Sequence, residues 1–182
     1  MKSMVGLSRT LIAATGALWL LSGCQDNVPD QSRPCPAVKL IQDASYMTRF
    51  AGESEDLAET SFEARITKSD SWCKYLYTDT DTQTLTYLTL TFAASRGPKN
   101  PDSMAKFNYF VRVTGPGGSQ LQSNILDVEV PFTAAKVQNS VADQVDVTIP
   151  LKQGENGDFY RIYVGIAVNE KELAYNRRNP QF

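Results

Sequence analysis

A two-residue alternation of apolar and polar side chains recurs from Ser61 to Val168. Side chains of a strand point to opposite faces in turn, so this pattern leaves little room for anything but half-buried β-sheet. Thr84–Ala93 is the strongest stretch. Threonine, leucine and tyrosine dominate it, and Leu88, Leu90 and Phe92 share one face, a composition suited to a pleated surface. Ser61–Lys68 alternates Phe62, Ala64 and Ile66 with Glu63, Arg65 and Thr67. Ser69–Ser71 then reads as a turn and Trp72–Tyr77 as the returning arm of a hairpin. Phe107, Tyr109, Val111 and Val113 fall on one face of the next strand, and Leu126, Val128, Val130 and Phe132 on one face of the strand after it. Val145, Val147, Ile149 and Leu151 repeat the pattern, as do Tyr160, Ile162, Val164, Ile166 and Val168.

Turn chemistry separates these segments. Thr78–Thr82 is a polar turn, Ser95–Lys106 is a long loop with two prolines, and Gly115–Gly118 supplies glycines for a tight reversal. Glu155–Asp158 contains an Asn-Gly pair, which predicts a hairpin turn there. Upstream, Ala37–Gln42 is apolar-rich, and Tyr46–Phe50 extends it or begins another element. Asn169 and Glu172 have capping-box spacing, so a short helix is expected over the last residues. About eight short strands, no long helix and no alternating βαβ rhythm predict an antiparallel β-sandwich of immunoglobulin-like or fibronectin-like kind, with a small β-barrel as the alternative. Tyr160 opens a late strand just after a turn. Its placement resembles the tyrosine corner of those domains, which implies a hydroxyl bonded to backbone upstream.

The N-terminus carries a different signal. Met1–Arg9 contains Lys2 and Arg9 and no acid, and Thr10–Leu21 is apolar but too short to cross a membrane. Leu21-Ser22-Gly23-Cys24 follows. This resembles the lipobox of bacterial lipoproteins. The resemblance implies cleavage before Cys24 and a diacylglyceryl thioether on its sulfur. Residues 1–23 would then be a signal peptide, residues 24–34 a polar tether and residues 35–182 a single domain. Lipoproteins of this kind end with three acyl chains, and two already give stable anchoring at about 0.8 kcal/mol per buried CH₂. Many Gram-negative lipoproteins are held in the inner membrane by Asp directly after the lipidated cysteine. Here that residue is Gln25, and the Asp comes one place later, at Asp26. The resemblance therefore implies an outer-membrane, periplasm-facing address, with the periplasmic face of the inner membrane as the alternative.

Composition narrows the partners. The signal region holds two of the 18 basic residues and none of the 20 acids, which leaves 16 against 20 in the rest. Without a basic patch or aromatics interleaved with lysine and arginine, nucleic acid is not an expected partner. The expected partners are the membrane, through the lipid, and another envelope protein. Cys35 and Cys73 remain once Cys24 is assigned to lipid. In an oxidising compartment such a pair predicts a disulfide that pins the start of the fold to the strand near Trp72.

The chain contains no histidine, which argues against Ser-His-Asp and Cys-His catalysis and against ordinary catalytic zinc. No phosphate-binding or dinucleotide fingerprint occurs, so no cofactor is expected. Glu53, Glu55, Asp56 and Glu59 could supply a glycosidase-like carboxylate pair, but they share one polar loop with little to bury them and read first as solvated. Asp79 and Asp81 have calcium-like spacing, yet the remaining ligands of such a loop are missing. Ser103-Met104-Ala105-Lys106 matches a Ser-Lys dyad in letters only, because it runs into a strand rather than a helix. Binding has better support. Arg96 and Lys99 lie in the long loop, and Arg177 and Arg178 in a basic C-terminal segment. Long loops on rigid sheets often carry function. Cys35-Pro36-Ala37-Val38, Arg96-Gly97-Pro98, Ile149-Pro150-Leu151 and Leu173–Arg178 together resemble a set of uncharacterised proteobacterial lipoproteins, which implies no particular activity. The expectation is a non-enzymatic accessory or binding protein of the envelope. Glycan binding or hydrolysis through the acidic loop is the alternative.

Overall fold

The computed structural model describes residues 33–180. Cys24, the signal region and most of the tether lie outside them. The strands are β1 (Ala37–Leu40), β2 (Tyr46–Phe50), β3 (Thr60–Tyr77), β4 (Thr82–Arg96), β5 (Met104–Thr114), β6 (Gln120–Pro131), β7 (Gln138–Leu151) and β8 (Arg161–Ile166), followed by α1 (Glu170–Arg178). They form two four-stranded sheets, one ordered β1-β8-β5-β6 and the other β2-β3-β4-β7. The predicted β-sandwich is therefore the fold, and the barrel alternative is excluded. Every pairing is antiparallel except that of β1 with β8, which is parallel. Among the described residues no helix is long and apolar enough to cross a membrane.

The alternating residues fill the space between the sheets. Leu88, Leu90 and Phe92 from β4 are fully buried, as are Tyr109 from β5, Ile149 from β7 and Ile162, Val164 and Ile166 from β8. The Phe92 ring packs edge-on against Phe107, 5.8 Å between centroids, and lies 4.9 Å from Tyr109. The Tyr109 hydroxyl crosses to the other sheet and donates to the Asp143 carboxylate at 2.7 Å. Burial, and then that bond, raise the Tyr109 hydroxyl above its ordinary range, so it remains a donor. Tyr109→Phe should cost about 1.5–3 kcal/mol, the range for a hydrogen bond to a charged group. Urea denaturation measures it, and a loss below ~0.5 kcal/mol would show that the bond adds nothing net.

Three local expectations are corrected. The predicted turn at Ser69–Ser71 is absent: β3 runs unbroken for 18 residues, and Ser69, Asp70 and Ser71 pair with Leu90, Thr89 and Leu88. The register shifts between Ile66 and Lys68. One extra residue resets the in-out alternation, and that change of phase imitates a hairpin in the sequence. The Asn-Gly turn is the second correction. Asn156 is extended at φ −122°, and the left-handed residue is Gly154 at φ +82°, closing a turn in which Glu155 N–H donates to Lys152 C=O. Third, Arg33 and Pro34 belong to the domain rather than to a free tether. The Pro34 carbonyl accepts from Tyr75 Oη at 2.6 Å, and the Arg33 guanidinium lies 4.4 Å from the centre of the Tyr75 ring.

Cys35 and Cys73 are joined by a disulfide. β2 pairs only with the first third of β3, from Thr60 to Arg65. Below that point the bridge ties the segment leading into β1, in one sheet, to β3 in the other. Tyr160 faces the upstream backbone as expected, with its hydroxyl 3.4 Å from the Pro150 carbonyl, but its proton is directed chiefly at the nearer Glu155 carboxylate. Burial and then Glu155 push the Tyr160 hydroxyl up to about 12.

The helix forms where its capping box predicts. Asn169 Oδ1 accepts the Glu172 N–H at 2.8 Å, and Glu172 Oε2 accepts the Asn169 N–H at 2.9 Å. α1 packs against β2, which is the edge strand of its sheet. Asn176, fully buried, donates from Nδ2 to the carbonyls of Tyr46 and Asp43.

The strand directions give the sandwich two poles. Arg33 and the turns after β3, β5 and β7 occupy the entry pole. The loops after β2, β4 and β6 and the start of α1 occupy the far pole. β4, at 15 residues, spans roughly 50 Å between them.

Candidate functional site

The far pole gathers the loops that the sequence marks as candidates. The loop after β4 is long, but it is latched to the start of β3. Gly97 N–H donates to Ser61 C=O at 2.8 Å, and Lys99 N–H to Thr60 C=O at 3.0 Å. Asn100, 7 % exposed, donates to Met104 C=O and accepts from Met104 N–H. Gly97 permits this close approach, because a Cβ there would sit 2.2 Å from the Thr60 carbonyl oxygen. Gly97→Ala should therefore cost about 1–3 kcal/mol through overpacking against backbone. Gly52→Ala, with nothing within 4 Å of an added Cβ, should stay within ~0.5 kcal/mol. Denaturation midpoints that move equally for the two variants would refute the latch.

The acidic loop and the basic residues, read separately in the sequence, meet here. Arg178 reaches both oxygens of Glu55, at 2.9 and 2.7 Å. Lys171 pairs with Glu53 at 2.9 Å, and Lys99 with Glu59 at 3.4 Å. Lys171, through its hydrogen bond first and its charge second, holds the Glu53 carboxyl below its usual range. Asp56 caps the short helical turn of the loop by accepting from Ala58 N–H. Arg177 pairs with Asp43, and Arg96 donates to the Asn100 carbonyl at 3.3 Å. The four basic residues singled out in the sequence thus do not assemble into one cationic patch. Three of them neutralise acids, two of which belong to the acidic loop. Exposed pairs of this kind contribute little to stability individually; their effect is to set the loop against α1.

Between the loop, β2 and α1 lies a cavity of about 210 Å³, lined in part by Thr48, Phe50, Glu53, Lys171, Glu172 and Tyr175. Phe50 and Tyr175 pack edge to face, 5.2 Å apart. Burial first, then Glu63 and Glu55, raise the Tyr175 hydroxyl, so it is a donor at any physiological pH. Glu172 is 7 % exposed and binds Arg49 through Nε and Nη2, both at 2.9 Å. The Thr48 hydroxyl is buried without a hydrogen-bond partner among the described residues. An aromatic wall, a hydroxyl and paired charges suit a small polar ligand. Sequence reasoning missed Arg49, Thr48 and Glu172's second role. The capping box explains Glu172 fully within the helix, and nothing local marks Arg49 as its partner 123 residues away.

Other candidates resolve as structure. Ser103 precedes β5 at φ +51°, while Lys106 lies within β5 and pairs with Glu129. Asp79 and Asp81 belong to the turn after β3, where the Asp81 N–H donates to Thr78 Oγ1. Among the described residues no three acids or cysteines converge as metal ligands. Trp72, which sequence reasoning placed in a strand without a role, is 54 % exposed on the outer face of its sheet and stacks on Tyr87 at 4.1 Å.

No family model, curated protein or solved structure matches this chain.

Proposed function

We propose that this chain is a periplasm-facing lipoprotein, anchored through Cys24 to the outer membrane, that serves as an accessory or binding component of an envelope complex. The observation that carries the reading is the division of the sandwich into two poles. Arg33, the last residue before the disulfide region, is fastened at one pole, donating to Asn156, Glu155 and Tyr77. The latched loop, the ion-paired acidic loop and the cavity occupy the other. An anchor at one end and a preorganised surface at the other is the arrangement of a presenting module. The Cys35–Cys73 bridge is compatible with an oxidising periplasm.

In-cell crosslinking followed by mass spectrometry tests this. A specific envelope protein should be recovered with the native chain and lost with Cys24→Ser, which mislocalises it. Recovery of the same protein at equal yield from Cys24→Ser, or of none from the native chain, refutes the reading. Glycan binding is the second reading, favoured by the aromatic-walled cavity beside the acidic loop. Replacing Glu53, Glu55, Asp56 and Glu59 together with their amides should abolish binding to envelope glycan fragments if it holds. Unchanged binding, or none by either protein, removes it.

A further inference from the structure

Three large apolar side chains stand exposed at the entry pole: Tyr77 at the end of β3, Leu121 at the start of β6 and Phe159 just before β8, each half exposed or more. Strand register sets two of them close together. Thr114 of β5 pairs with Arg161 on one side and with Gln120 on the other, so Phe159 and Leu121 flank the same end of one sheet. Arg33 joins this group to Tyr77 in the other sheet, since it binds both Tyr77 Oη and Asn156. The far pole also exposes Leu57 and Val137, but these are single aliphatic residues set among Asp56, Glu59 and Lys136.

The charges of the entry pole nearly cancel. Asp79, Asp81, Glu155 and Asp158 stand against Arg33, Lys152 and Arg161. Glu155 accepts from the Tyr160 hydroxyl and the Lys152 N–H and keeps its charge, since the Tyr160 bond holds its carboxyl below the usual range. A surface with exposed aromatic rings and little net charge matches a zwitterionic phospholipid headgroup layer, where amphipathic rings partition favourably.

Chain length limits the geometry. Nine Cα steps separate Cys24 from Arg33, a reach of at most ~30 Å. The far pole lies roughly 50 Å from the entry pole, so it meets a bilayer that holds Cys24 only if the sandwich tips onto its side, whereas the entry pole always stays within the tether's reach. Resting on the anchored reading of the chain, we infer that the entry pole docks on the phospholipid surface through Phe159, Leu121 and Tyr77, and that the sandwich stands upright on its membrane. The tether then sets a short standoff, and the rings set the orientation.

Depth-dependent quenching of tryptophan fluorescence tests this with the lipidated protein in phosphatidylcholine vesicles that carry doxyl-labelled phosphatidylcholine. Trp72 is the sole tryptophan once residues 1–23 are removed, and it reports on the side of the sandwich. Phe159→Trp and Leu57→Trp, each combined with Trp72→Phe, report on the two poles. The expected result is quenching several-fold stronger for Phe159→Trp than for the other two proteins, with a blue-shifted emission. Stronger quenching of Trp72 would mean that the domain lies on its sheet face and would overturn the inference. Equal, weak quenching of all three on vesicle-bound protein would also overturn it while leaving the anchor intact. An intact mass without acyl chains would overturn the anchored reading itself, and the docking with it.

Discussion

Replacing Cys35 and Cys73 together with serine is expected to lower the unfolding free energy by about 4 kcal/mol, the loop-closure value for a bridge between residues this far apart. The two cysteines are separated by 38 positions. For a domain of this size the loss corresponds to a melting temperature lower by roughly 10 °C. The location supports the full value. The bridge spans the side of the sandwich where β3 has outrun β2, and Tyr75, which accepts from Gly157 N–H and donates to Pro34 C=O, closes the same side just below. Reducing the native protein with dithiothreitol should reproduce the double variant, because both free the same loop. If oxidised and reduced native protein melt together, the bridge is not a staple. Lipidation at Cys24 should not depend on the change.

Phe92→Ala is expected to cost about 3–5 kcal/mol, the range for removing a buried aromatic ring. β4 lies between β3 and β7, so its inward side chains are enclosed on every side and the site cannot collapse to refill the space. The ring's neighbours Phe107 and Tyr109 belong to the facing sheet, so the substitution removes contacts between sheets. Thr91→Ala, one residue away on the outer face, should shift stability by no more than ~0.5 kcal/mol. Chemical denaturation of the two variants side by side measures the difference. Equal losses would contradict the assignment of faces to β4.

That assignment was legible because β4, β5 and β7 alternate strictly. A half-buried strand with one dry face has no other way to distribute its side chains. The capping box of α1 was legible for a similar reason: its partners are three residues apart. β3 was misread because a bulge changes the phase of alternation without any glycine or proline to announce it, and because Ser69 and Ser71 are turn-formers that here sit at an open margin of the sandwich. The candidate site was half legible. The acidic loop, the Ser95–Lys106 loop and the basic C-terminal segment were all singled out, but as rivals. Their union depends on pairs such as Arg178–Glu55 and Arg49–Glu172, each 123 residues apart. Complementary charge is visible in sequence; which acid meets which base is decided by sheet order.

The helix that closes the chain has a consequence for how the protein behaves in a crowd. β2 is a short edge strand, and an uncovered edge is a template on which a second chain can add. Asn176 occupies two carbonyls at that edge, those of Tyr46 and Asp43, with a side-chain amide in place of another backbone. α1 therefore covers the edge that β2 would otherwise offer to another strand. Shortening the chain before Asn169 should open that edge to edge-to-edge pairing with a second copy, which sedimentation of the shortened protein would show as species larger than the native one.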